Sequence, residues 1–147
     1  MAALMMAASE EKIETMKILM ESNYGATAIT NAIFFNHAEA SKALLTSKTE
    51  VGHTANENGL LISAGLGNNE IIQISLDYGV NSNARGKKGR TSFMAAAEFE
   101  RVATVNLLLE KGADPSARDS ENNTVLMLAE DEGNSSITEL IRKADKN

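Results

Sequence analysis

GRTSFMAAAEFERVATVNLLLEKGADPSARD, from Gly89 to Asp119, is the stretch on which the reading of the whole chain turns. Thr91 stands where a helix should begin, since its hydroxyl can cap backbone N–H groups that have no partner inside the helix. Ser92-Phe93-Met94-Ala95-Ala96-Ala97 then reads as a short helix, and its small alanines admit a second helix at close range. Glu98-Phe99-Glu100-Arg101 makes a polar turn. After it, Val102, Val105, Leu107, Leu108 and Leu109 define an apolar stripe at helical spacing. Lys111-Gly112 ends that second helix, because glycine takes the left-handed conformation most cheaply. Pro115, in the turn Ala113-Asp114-Pro115, keeps the helix from resuming. The unit is helix, turn, helix, loop.

The same skeleton returns on both sides. Thr124 answers Thr91 33 residues later, and Asn58 stands 33 residues before it. The preceding unit has Asn58-Gly59-Leu60-Leu61-Ile62-Ser63-Ala64, then Gly67, Glu70-Ile71-Ile72, Leu76 and Gly79-Val80-Asn81. The following one has Thr124-Val125-Leu126-Met127-Leu128-Ala129, then Gly133, Ile137 and Leu140-Ile141. Thr27-Ala28-Ile29, Ala32 and Leu44-Leu45 form a weaker copy, and Ala7-Ala8 with Ile18-Leu19-Met20 a poor one. Self-similarity at this period marks a solenoid, in which each unit buries its apolar face against its neighbours.

Thr91, Leu108-Leu109 and Gly112-Ala113-Asp114 match the T-P-L-H-x-A start, the paired leucines and the G-A-D turn of the ankyrin repeat, which this pattern resembles. The resemblance implies an all-α solenoid of about five helix-turn-helix repeats in one domain, with short or degenerate β-hairpin loops. The approximate repeats are 1–24, 25–52, 53–85, 86–118 and 119–147, the outer two acting as caps. The chain departs from the family pattern in several places. The usual Pro is Ser92, Gly59, Ala28 or Val125, and the usual His is Met94, Leu61, Thr30 or Met127. Asn23-Tyr24-Gly25-Ala26 leaves room for a tight turn only, and the loop between the second and third units is about two residues short of the period. At the far end Arg142-Lys143 supplies the polar face a terminal repeat needs. The methionines of Leu4-Met5-Met6, with Met16 and Met20, read as fillers of an irregular core.

Composition agrees with a packed helical body: 43% hydrophobic, 23% charged and one proline among 147 residues. The chain has no cysteine, so disulfides and Cys-based zinc sites are excluded, and a reducing, cytoplasmic setting is expected. No apolar run reaches transmembrane length, and the opening MAALMMAASEE lacks the basic start of a secretory signal. Net charge is −6, which argues against nucleic acid and favours a protein partner with a basic surface.

No catalytic set assembles. His37 and His53 fall in turn or loop contexts without paired-ligand spacing, and they read as surface residues. Gly65-Leu66-Gly67 lacks the third glycine of a nucleotide loop, and the register explains Gly67 as the turn between paired helices. Gly86-Lys87-Lys88-Gly89-Arg90-Thr91 lacks phosphate-loop spacing and falls where a hairpin tip belongs. No cofactor and no small-molecule substrate are expected.

The family resemblance implies a concave surface lined by the first helices and the loop tips. The residues that close each first helix, stacked in register, read Glu10, Phe35, Leu66, Phe99 and Glu132. That is an apolar centre with an acidic rim, the anatomy of a binding patch. The candidate partner-binding residues are therefore Phe35, Leu66 and Phe99, helped by Glu98, Asp131 and Glu132. At one loop tip Lys87, Lys88 and Arg90 form a basic cluster within an acidic chain, and they too are candidate partner-binding residues, able to pair with an acidic patch on the partner. The expected function is a non-catalytic protein-recognition module. A dedicated inhibitor or immunity protein that occludes a basic toxin or enzyme is one alternative, and a subunit docked through Leu4-Met5-Met6 in a larger assembly is another.

Overall fold

A computed structural model describes residues 31–33, 35–46 and 53–146. The expectations for Leu4 to Met20, for Glu10 and for the turn Asn23-Tyr24-Gly25-Ala26 lie outside the described residues. Residues 31–33 are helical, and the α-helices after them are α1 (Ala38–Thr46), α2 (His53–Leu66), α3 (Asn69–Asp77), α4 (Ser92–Glu98), α5 (Val102–Glu110), α6 (Val125–Asp131) and α7 (Ser135–Ala144). A 3-10 turn at Lys87–Gly89 lies between α3 and α4.

Local chemistry sets the ends of these helices. The Thr91 and Thr124 hydroxyls accept from the N–H groups of Met94 and Met127, at 3.3 and 3.4 Å. Asn68 and Asn134 cap α3 and α7 in the same way, accepting from Ile71 at 3.3 Å and Ile137 at 3.1 Å. Each such bond satisfies a donor that the first helical turn leaves without a partner. The 33-residue period is also written in the backbone. Positive φ recurs at Gly67, Glu100 and Gly133, at Gly79 and Gly112, and at Gly89 and Asn122.

Helices α2, α4 and α6 pack on one another in sequence, and α1, α3, α5 and α7 form a second row behind them. The two rows close on a continuous core that includes Leu60, Ile72, Phe93, Met94, Val105, Leu108, Val125, Ile137 and Ile141. Ala96, Ala97, Ala64 and Ala129 are fully buried where helices approach most closely. This is the all-α helical repeat architecture that the residue pattern implies.

The start of α2 differs from expectation. It begins at His53, five residues before Asn58, so Asn58 lies inside the helix and caps nothing. His53 to Glu57 include neither proline nor glycine, and nothing in that stretch stops the helix from extending backwards. His53 is therefore helical, whereas His37 stays in the turn before α1. Among the described residues there is no strand. The bonds that close the loop tips include those from Gly86 N–H to the Arg90 carbonyl at 2.9 Å and from Asp119 N–H to the Asn123 carbonyl at 3.0 Å. One antiparallel bridge joins Arg118 and Thr124.

Candidate functional site

The three apolar residues singled out by register lie at the C-terminal ends of first-row helical segments, each followed by a residue in the left-handed conformation. Phe35 precedes Asn36, Leu66 precedes Gly67, and Phe99 precedes Glu100. A left-handed residue at that place closes the helix and satisfies its last carbonyl groups. All three side chains are exposed: Phe35 is 52%, Leu66 45% and Phe99 57% accessible. These side chains do not fold down into the core.

Neighbouring turns are tied together beneath these side chains. The bare Cα of Gly65 lies under the Phe99 ring, where a Cβ would stand 3.3 Å from the ring edge. Arg101 Nε donates to the Gly65 carbonyl at 2.9 Å, and the Asn68 amide donates to the Asn36 side-chain oxygen. Phe35 stacks on His37 with ring centroids 6.3 Å apart. In the sequence Arg101 stands out only as part of a polar turn, and its tie to Gly65, 36 residues away, has no local signal.

The charged residues divide into two groups. Glu98, at the end of α4, is ion-paired with Arg90 from the tip, and both are partly buried. Lys88 Nζ lies 3.9 Å from Glu121 with both side chains well exposed, whereas Lys87 is exposed without a carboxylate partner among the described residues. Asp131 ends α6 and Glu132 follows it, both exposed. Their neighbour Glu130 is taken up by Arg142, at 2.6 Å.

Behind the tips, two aspartates hold the loops. The Asp114 carboxyl is kept below its ordinary value chiefly by the Ser116 hydroxyl, then by the Ser116 N–H, and Arg85 adds to the effect against some burial. Asp119 is lowered chiefly by the Asn123 N–H, with the Asn123 side chain, the Glu121 N–H and Arg90 adding to it, again against some burial. These are structural anions, satisfied within their own loops.

Between α2 and α4 runs an open groove of about 490 Å³, lined by the apolar Leu61, Ile62 and Ala95 and by the polar Asn58, Lys87, Arg90 and Glu98. Periodicity alone did not single out this groove, since it marked Leu61 only as the residue at the family's usual histidine position. No helix among the described residues is long and apolar enough to cross a membrane.

Comparison with known proteins places this architecture. The family described as "Ankyrin repeats (3 copies)" matches residues 60–147. The chain is 35% identical over 121 residues to "Glycerophosphocholine phosphodiesterase gde1" of Schizosaccharomyces pombe, covering 78% of this chain and 11% of that protein. It is 31% identical over 144 residues to "Ankyrin repeat and KH domain-containing protein mask-1" of Caenorhabditis elegans, covering 94% of this chain and 6% of that one. It is 27% identical over 104 residues to "Ankyrin repeat domain-containing protein 63" of Mus musculus, covering 68% and 26%. The chain thus spans only a small part of each of these relatives. With the threonine-capped first helices, the paired rows and the 33-residue backbone period, the match means that this chain belongs to the ankyrin-repeat family.

Proposed function

We propose that this chain is a non-catalytic recognition module that docks a partner protein on the first-helix row, with Phe35, Leu66 and Phe99 at the centre of contact. Ankyrin repeats mediate protein–protein interaction, and the family is typically non-catalytic. The observation that carries the reading is the exposure of three large apolar side chains at one register position in successive units. Isolated exposed apolar residues are ordinary on a protein surface, but a periodic row of them is not. Asp131 and Glu132, exposed at one end of the row, suit basic residues on the partner. On this reading the repeats are 1–24, 25–52, 53–85, 86–118 and 119–147.

The test is the Phe35→Ala/Phe99→Ala double variant, compared with wild type in cross-linking pull-downs from the native host. Expected is loss of the partner recovered by the wild type, at an unchanged melting temperature. A partner retained at full strength would sink the reading, and so would a collapse in stability that accounts for the loss.

A further inference from the structure

We infer that the groove between α2 and α4 accepts a short segment of partner chain in which an apolar side chain stands within two residues of a carboxylate. The inference rests on the reading that this row of helices binds protein, and it names the chemistry of what is bound.

The floor comes first. Leu61 and Ile62 of α2 and Ala95 of α4 are half-buried and carry no polar side-chain atom, so an apolar side chain laid there is withdrawn from water without orphaning a donor or acceptor. The space is an open groove of about 490 Å³, which suits a length of chain better than an enclosed small molecule.

The charges come next. Although the chain carries −6 overall, this groove does not share that sign. Glu98, the only carboxylate among the described residues that line it, is neutralised by Arg90, and Lys87 is left exposed without a carboxylate partner among the described residues. A basic segment would meet Lys87 as a like charge, whereas an acidic one would gain a counter-ion.

Geometry joins the two features. The Leu61 Cδ2 atom lies so close to Gly86 that a Cβ on Gly86 would stand 2.6 Å from it, and Lys87 is the next residue. The apolar floor therefore abuts the cationic tip, and a ligand that fills the first meets the second within one or two residues. At the other end Glu98 is followed in the chain by Phe99 of the exposed row.

The probe is a phage-displayed library of random heptamers selected on the full chain. Expected is enrichment of Leu, Ile, Val or Phe with Asp or Glu one or two positions away. A synthetic peptide of the winning sequence should bind roughly tenfold more weakly to Lys87→Glu, and its binding to the wild type should weaken as salt is raised. Ala95→Glu should abolish binding by filling the groove with charge; should that variant fail to fold, Lys87→Glu on the exposed tip carries the test alone. Enrichment of basic sequences, or no enrichment, overturns the inference. Peptides that ignore Lys87→Glu but are lost with Phe35→Ala/Phe99→Ala overturn the groove and leave the exposed row standing. The reverse pattern keeps the groove and sinks the row.

Discussion

Asn83 and Asp114 are joined across 31 residues of chain: the Asp114 N–H donates to Asn83 Oδ1 at 2.8 Å. The same Asn83 side chain donates from Nδ2 to the Gly112 carbonyl at 3.1 Å. One amide thus ties two successive loops by both of its ends. Thr104 does similar work on the second row, donating to Asn69 Oδ1 at 2.6 Å. Family members with the usual histidine have side-chain-to-backbone bonds that Met94 and Met127 cannot make, and here loop and helix amides take part in the stacking.

Replacing Asn83 with Ala should therefore destabilise the chain by about 1 kcal/mol, near the ordinary net value of a hydrogen bond, because the site is exposed and water can replace part of what is lost. Urea denaturation of wild type and variant checks this. No change in the midpoint would show that the tie contributes nothing.

Glu100 holds φ at +58° in a position where equivalent units have Gly67 and Gly133. Non-glycine residues are strained there by roughly 1–2 kcal/mol. The variant Glu100→Gly should gain about 1 kcal/mol once the greater freedom of glycine in the unfolded chain is subtracted. A raised melting temperature is the expected readout, and a lowered one refutes it.

Phe93 and Phe99 lie six residues apart in the same unit and should respond oppositely to truncation. Phe93 is 1% exposed in the core, so Phe93→Ala should cost about 3–5 kcal/mol, a large share of the total stability of a domain this size. Phe99→Ala should stay within about 1 kcal/mol of wild type, because its ring lies over Gly65 and is 57% exposed. Paired chemical denaturation curves separate the two.

Acid should loosen the loop tips. Asp119 is depressed below its ordinary value of 3.8, so its contribution is fully present above that value and is lost as pH falls through the lower folded-state value. Asp119→Asn keeps an acceptor for the loop N–H groups but cannot titrate. The stability difference between wild type and this variant should shrink as pH is lowered from 5 towards 2. A difference independent of pH would show that the Asp119 charge is idle.

Much of this architecture could be read from residue types alone, and the reason is physical. Thr91 and Thr124 announce helix starts by a hydroxyl at a fixed offset, Gly112 announces a stop, and the leucine triplet announces a buried face. The exposed row came from the same register, which marked the residues that close each first helix. What could not be read came from long-range pairing. Nothing local to Arg90 says that it neutralises Glu98, and nothing local to Asn83 says that it reaches Gly112 and Asp114. The early start of α2 escaped because repeat logic placed a boundary at Asn58 where helix propensity does not.

Each helix pair rests chiefly on the pair before and the pair after it. A peptide gripped between α2 and α4 would clamp two adjacent plates of the stack, and amide hydrogen exchange would slow there while α7 kept its own rate. Such a chain stiffens where it is held and stays supple elsewhere.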